Sequence, residues 1–106
     1  MAKFMIEATY NAEGTKGLLK EGGSSRRTAV KKAIEDLGGT LEGFYFAFGE
    51  NDPIVICDVP DLVSGLAIAM AVDASGEVRV KTTPLISPEE VDAACHKAVH
   101  YRAPGR

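Results

Sequence analysis

The chain is poor in the residues that announce chemistry. It holds two cysteines and two histidines in 106 residues. Two cysteines, Cys57 and Cys95, do not make a disulfide framework, so reduced thiols are expected. Both histidines, His96 and His100, fall near the C-terminus. No Ser-His-Asp or Cys-His arrangement is assembled from the sequence, and no catalytic residue is assigned. An excess of positive charge is lacking too: twelve Lys and Arg against fifteen Asp and Glu leave a net charge of −3. That argues against a partner made of nucleic-acid phosphates, which needs a basic stripe. The longest uncharged run, residues 62–72, is too short to span a bilayer. The opening MAKFMIEATY has no signal-peptide apolar region. A cytoplasmic protein with neither a nucleic-acid nor a membrane partner is expected.

What is present is ordinary globular material, 45% hydrophobic and 25% charged, so an ordered core is expected. At 106 residues the chain is one domain. Residues 3–10 alternate, with Phe4, Ile6, Ala8 and Tyr10 on one face and Lys3, Met5, Glu7 and Thr9 on the other, the period of a strand. Residues 11–23 are rich in Gly and Asn around a short turn of helix at 15–20. Ser24 or Ser25 offers an N-cap for a helix running to Leu37, closed by Gly38-Gly39.

Residues 40–60, TLEGFYFAFGENDPIVICDVP, read as a hairpin. Phe44, Phe46 and Phe48 alternate with Tyr45 and Ala47, Gly49-Glu50-Asn51-Asp52 supplies turn chemistry, and Ile54-Val55-Ile56-Cys57 suits a central strand. Asp61 is an N-cap for a second helix closed by Gly76. That helix is apolar on nearly all sides, which in so small a domain points to a subunit interface. Residues 78–83 form a fourth strand, with Val78, Val80 and Thr82 opposite Arg79, Lys81 and Thr83. Ser87-Pro88-Glu89-Glu90 is a capped helix start with acids in the first turn, and the spacing predicts a helix to about Tyr101.

The order β-α-β-β-α-β plus a C-terminal helix predicts a ferredoxin-like α+β domain with a four-stranded antiparallel sheet, strand order 4-1-3-2. One sheet face is then left without helices. Met5, Glu7, Thr9, Arg79, Lys81 and Thr83 occupy it on adjacent strands, with Tyr45 and Ala47 further out. Pairing the open faces of two subunits covers such a surface, so the expected partner is a second copy, in a homodimer or a larger ring.

The layout and several segments resemble the GYD-domain family, small bacterial proteins allied to the dimeric α/β-barrel folds. The resemblance covers residues 3–103. It is carried by Leu37-Gly38-Gly39, Phe44-Tyr45-Phe46, Gly49-Glu50-Asn51-Asp52 and Val78-Arg79-Val80-Lys81-Thr82-Thr83, and the tail PEEVDAACHKAVHYRAPG is similar to an extension carried by one branch. The family is named for a Gly-x-Tyr-Asp turn. Gly49 and Asp52 match it, while Asn51 stands where the tyrosine would be. The resemblance implies a fold and an oligomer rather than a reaction.

Four clusters are candidate sites. On the open face, Arg79 and Lys81 suit a small anionic ligand, with Glu7 or Tyr45 placed to handle a proton; the competing reading is a cross-strand ion pair. In the turn, Glu50 and Asp52 form a carboxylate pair for ligand contact or proton transfer, or simply cap the turn. Asp92, His96 and His100 recur every four residues, a spacing that would place them near one helix face for a metal or leave them solvated. Residues 20–27, KEGGSSRR, bring glycines and arginines to a helix start, as in phosphate sites, but match neither a Walker loop nor a dinucleotide fingerprint. No cofactor is expected. The predicted function is a small-molecule binding or regulatory module; the alternatives are a cofactor-free enzyme for a small organic acid or aromatic, and a structural oligomer.

Overall fold

The computed structural model describes residues 2–47 and 53–106. Its elements are β1 (Ala2–Tyr10), α1 (Ala12–Glu21), α2 (Gly23–Asp36), β2 (Thr40–Tyr45), β3 (Ile54–Val59), α3 (Leu62–Ala74), β4 (Val78–Leu85) and α4 (Pro88–Cys95). The strands form one antiparallel sheet in the order β2-β3-β1-β4, the expected 4-1-3-2 order read from the other edge. The fold is ferredoxin-like α+β with a C-terminal helix.

The core lies between the sheet and the helices. Phe4 and Ile6 of β1 meet Val55, Cys57 and Val59 of β3, and Ile34 of α2 and Ile68 of α3 close over them. Strand alternation then sends Lys3, Met5, Glu7 and Thr9 to the opposite, helix-free face. Asp61 caps α3 by accepting from the Ser64 N–H at 2.8 Å. Ser87 and Glu90 form a complete capping box on α4.

The structure ends β2 at Tyr45, ahead of Phe46 and Ala47, and corrects the sequence reading in four further places. Residues 11–23 hold a full ten-residue helix, α1, rather than one turn. Asn11 caps it through the Gly14 N–H and also donates to the Gly76 carbonyl. Gly14 is there for room rather than flexibility: a Cβ at that position would come within 2.6 Å of the Glu77 carbonyl. Second, α2 starts at Gly23 without a side-chain cap, because Gly22 at φ +83° joins α1 directly to α2; neither Ser24 nor Ser25 serves. Third, β4 runs through Pro84 to Leu85, since an edge strand tolerates a missing N–H. Fourth, α4 ends at Cys95 instead of near Tyr101. No packing surface supports it: every residue from 88 to 102 is exposed. The apolar helix α3 buries only Gly65 and Ile68 within its own chain, leaving Leu62, Val63, Leu66 and Met70 exposed.

Candidate functional site

Three of the residues singled out on the open face fall in a single row. Tyr45 is paired with Ile54, Ile54 with Glu7, and Glu7 with Lys81, so the row crosses all four strands. Adjacent strands are about 4.8 Å apart, which makes Glu7 and Lys81 direct neighbours and puts Tyr45 roughly 10 Å from Glu7. Arg79 is opposite Thr9, two residues along β4 from Lys81 and on the same face. Glu7 is half-buried, whereas Arg79, Lys81 and Tyr45 are exposed. Asp52, with Gly49, Glu50 and Asn51, lies outside the described residues.

The next row is Gly43, Ile56, Met5 and Thr83. With Ile54 it gives the face an apolar floor. Beyond it comes a second polar group that the sequence reading did not pick out: Lys3, Glu42 and Asp58. A β-bulge between Leu41 and Gly43 makes Glu42 the extra residue of β2, which turns its carboxylate toward Lys3. Lys3 Nζ donates to Glu42 Oε2 and lies 3.6 Å from Asp58 Oδ2. A hydrogen bond shared with Glu42 raises the Asp58 pKa above the ordinary aspartate value. The same bond, together with Lys3, lowers that of Glu42. The hydrogen bond to Glu42 holds the Lys3 ammonium above its usual range. Asp58 therefore keeps a proton longer than an isolated aspartate and gives it to Glu42 as a hydrogen bond. The pairing of Lys3 with Asp58 follows once Phe4 is set against Cys57; the bulge at Glu42 has only the following Gly43 as a sequence signal.

The open face is thus polar at both ends and apolar between them. An elongated anionic or amphiphilic molecule would match that pattern. At the β2 edge, Tyr45 and Glu42 also border a shallow groove of about 520 Å³ whose other wall carries Arg27 and Lys31 of α2.

The remaining candidates are not assembled. α4 stops at Cys95, His96 is its C-cap residue, and His100 lies beyond it, so Asp92, His96 and His100 do not share a helix face. Among the described residues no group of three metal-ligating side chains comes together. In residues 20–27 the glycines are used up in the joint between α1 and α2, and Arg26 Nη1 lies 3.6 Å from Glu21 Oε1. Cys57 is fully buried; burial, then the Asp58 and Glu42 charges, raise its thiol pKa. Cys95 is exposed.

The family model for the GYD domain matches residues 4–95, from the start of the core on β1 to the last residue of α4. The chain belongs to the GYD-domain family. Both polar groups of the open face lie on strands of this GYD domain, with Lys3 just before the matched stretch, whereas residues 96–106 fall beyond it. No curated protein and no solved structure matches the chain. Among the described residues no helix is long and apolar enough to cross a membrane.

Proposed function

We propose that this GYD-domain protein is a small-molecule binding or regulatory module, acting as a homodimer or larger ring in the bacterial cytoplasm. Its ligand is a small anion held on the open sheet face, with Arg79 and Lys81 meeting the charge and Tyr45 and Glu7 completing the polar rim. Asp52 is kept among the proposed ligand contacts on its turn sequence alone. The observation that supports this reading is the row Tyr45–Ile54–Glu7–Lys81, which gathers convergent polar groups beside the apolar floor of Met5, Ile54 and Ile56. Few polar groups on an apolar surface are the usual composition of a ligand site, and a second copy would supply the missing wall.

The test is a thermal-shift screen against short carboxylates, aromatic acids and organic phosphates. At least one should raise the wild-type Tm by several degrees, and Lys81→Ala and Arg79→Ala should each abolish most of that rise while leaving the unliganded Tm in place. A hit that both variants bind as tightly as wild type would overturn the assignment of the face.

A second reading, a cofactor-free enzyme for a small organic acid or aromatic, is favoured by the placement of a carboxyl group, Glu7, and a phenol, Tyr45, at one end of the floor. It separates from the first by following the bound compound by NMR: a module returns it unchanged, an enzyme does not. A structural oligomer would assemble firmly and respond to none of the compounds.

A further inference from the structure

The molecule is too long for its chain. Its radius of gyration is 16.9 Å, against about 13 Å for a compact domain of this size. The longest dimension is 57 Å, with the other two 33 and 23 Å. The excess comes with an arm, residues 86–106, that leaves the edge strand β4. Its helix α4 makes no substantial packing contact with any other element. Yet it carries a complete capping box with proline at N1, and Ile86, Val91, Val99 and Tyr101 stand exposed along the arm, Tyr101 at 76%. An eight-residue helix does not hold itself together in water, so a well-capped one with bare apolar side chains is built to rest on a surface.

We propose that the arm docks on α3 of a second copy of this chain, which returns its own arm to the first. The receiving surface is the ridge Leu62, Leu66 and Met70, one turn apart on α3, with Val63 beside it; all four are exposed in the single chain. At its start the ridge runs into a groove of about 400 Å³ bordered by Leu62, Leu85 and Ile86, where the arm leaves the body.

Three observations choose a second copy over an unrelated partner. The two uncovered apolar surfaces occur on one sequence, so reciprocal exchange covers both and closes on itself with two-fold symmetry. The area also suffices. At roughly 100 Å² of removable surface per large apolar side chain, the eight residues offer about 800 Å², and a reciprocal pair about 1,600 Å², the size of a standard specific interface. Charge then fixes the direction. The first half of the arm is acidic, with Glu89, Glu90 and Asp92, and the second half basic, with Lys97, Arg102 and Arg106. α3 is uncharged from Leu62 to Val72 and then meets Asp73 and, beyond it, Glu77. Asp61 already caps the positive end of α3, so the basic half decides: a parallel alignment lays it beside Asp73, Glu77 and the negative end of the helix. The lengths agree: α4 spans about 12 Å and α3 about 20 Å, so the residues after Cys95 reach the carboxyl end of α3. This contact is separate from the pairing of open sheet faces and does not depend on it.

Cys95, exposed on the arm, provides the test in the full-length protein. Leu66→Cys and Met70→Cys are made singly, with Ser25→Cys on the outer side of α2 as control, and each is treated with diamide at pH 8. The expected result is a covalent dimer at positions 66 or 70, formed at least tenfold faster than the control. Peptide mapping should join the introduced thiol of one copy to Cys95 of the other. Position 70 duplicates position 66 should either variant fold poorly. A dimer joined Cys95 to Cys95, a link closed within one chain, or no excess over the control would each overturn the proposal.

Discussion

Gly65 on α3 lies directly over the ring of Phe4 on β1. A Cβ at position 65 would approach Phe4 Cε2 to 2.5 Å and Cζ to 2.8 Å, with Phe4 itself only 3% exposed. Either the ring must shift from its place in the core or α3 must lift. Gly65→Ala should therefore destabilise the domain by about 1–3 kcal/mol, even though alanine is the better helix former. Urea unfolding would show this as a lower midpoint at an unchanged m-value. A stabilised variant would mean that α3 is not seated where described.

The α3 cap gives a prediction with a pH signature. The Asp61 carboxylate accepts from the Ser64 backbone N–H, which lowers its pKa below the ordinary aspartate value. A carboxyl whose folded pKa is depressed contributes stability above its unfolded pKa and loses it as pH falls through the folded one. Asp61→Ala should lower Tm by about 3–6 °C at neutral pH. The gap from wild type should shrink as both proteins are taken below the usual aspartate range. A gap that stays constant through that range and below it would remove the cap's charge from the account.

Asp58 has the opposite sign. Its folded pKa is raised through the bond it shares with Glu42. Its contribution is therefore full below the ordinary aspartate pKa and lost as pH rises through the raised value. Asparagine keeps a donor facing Glu42 at every pH. Asp58→Asn should raise Tm at neutral pH by roughly a degree or two, given the exposure of the group, with the gain vanishing on acidification. Calorimetric scans at several pH values would read it; a loss of Tm at neutral pH would show that the Lys3–Asp58 ion pair outweighs the carboxyl pair.

Cys57 is fully buried among apolar side chains, with its thiol pKa raised. In a Cys95→Ser background, an aromatic disulfide reagent should modify it only as fast as the protein opens, at least about a hundredfold slower than a free thiol. Cys57→Ser should cost about 1–3 kcal/mol, since its hydroxyl finds no water at that site. Fast labelling would contradict the packing of β3 against α2 and α3.

Much of the fold was legible in the sequence because its signals are local. Asp61 and Ser87 announce their helices by position, Gly38 ends α2 at φ +82°, and the alternation of Phe4, Ile6 and Ala8 assigns the faces of β1. That same alternation was enough to bring Glu7, Tyr45 and Lys81 to one face, and the strand register then set them in one row. The misses come from contacts made at a distance. Gly14 reads as a helix breaker until the Glu77 carbonyl is seen beside it. The bulge at Glu42 obeys the pairing of β2 with β3, which no spacing within TLEG reveals. The periodicity of Val91, Ala94, Cys95 and Ala98 suggests a longer α4, yet a helix continues only where something packs against it, and here its own chain supplies nothing.

The placement of β1 also shapes how the protein is made. It precedes the other three strands in the chain, but it lies in the interior of the sheet, with Phe4 opposite Cys57 on one side and Pro84 on the other. Only β2 and β3 are close enough in sequence to pair early. The first strand waits, unpaired and apolar on one face, until β3 has emerged, and its other edge stays open until β4 follows. Non-local closure of this kind slows folding and prolongs the exposure of strand edges. A nascent chain interrupted before Leu85 has no way to complete its sheet.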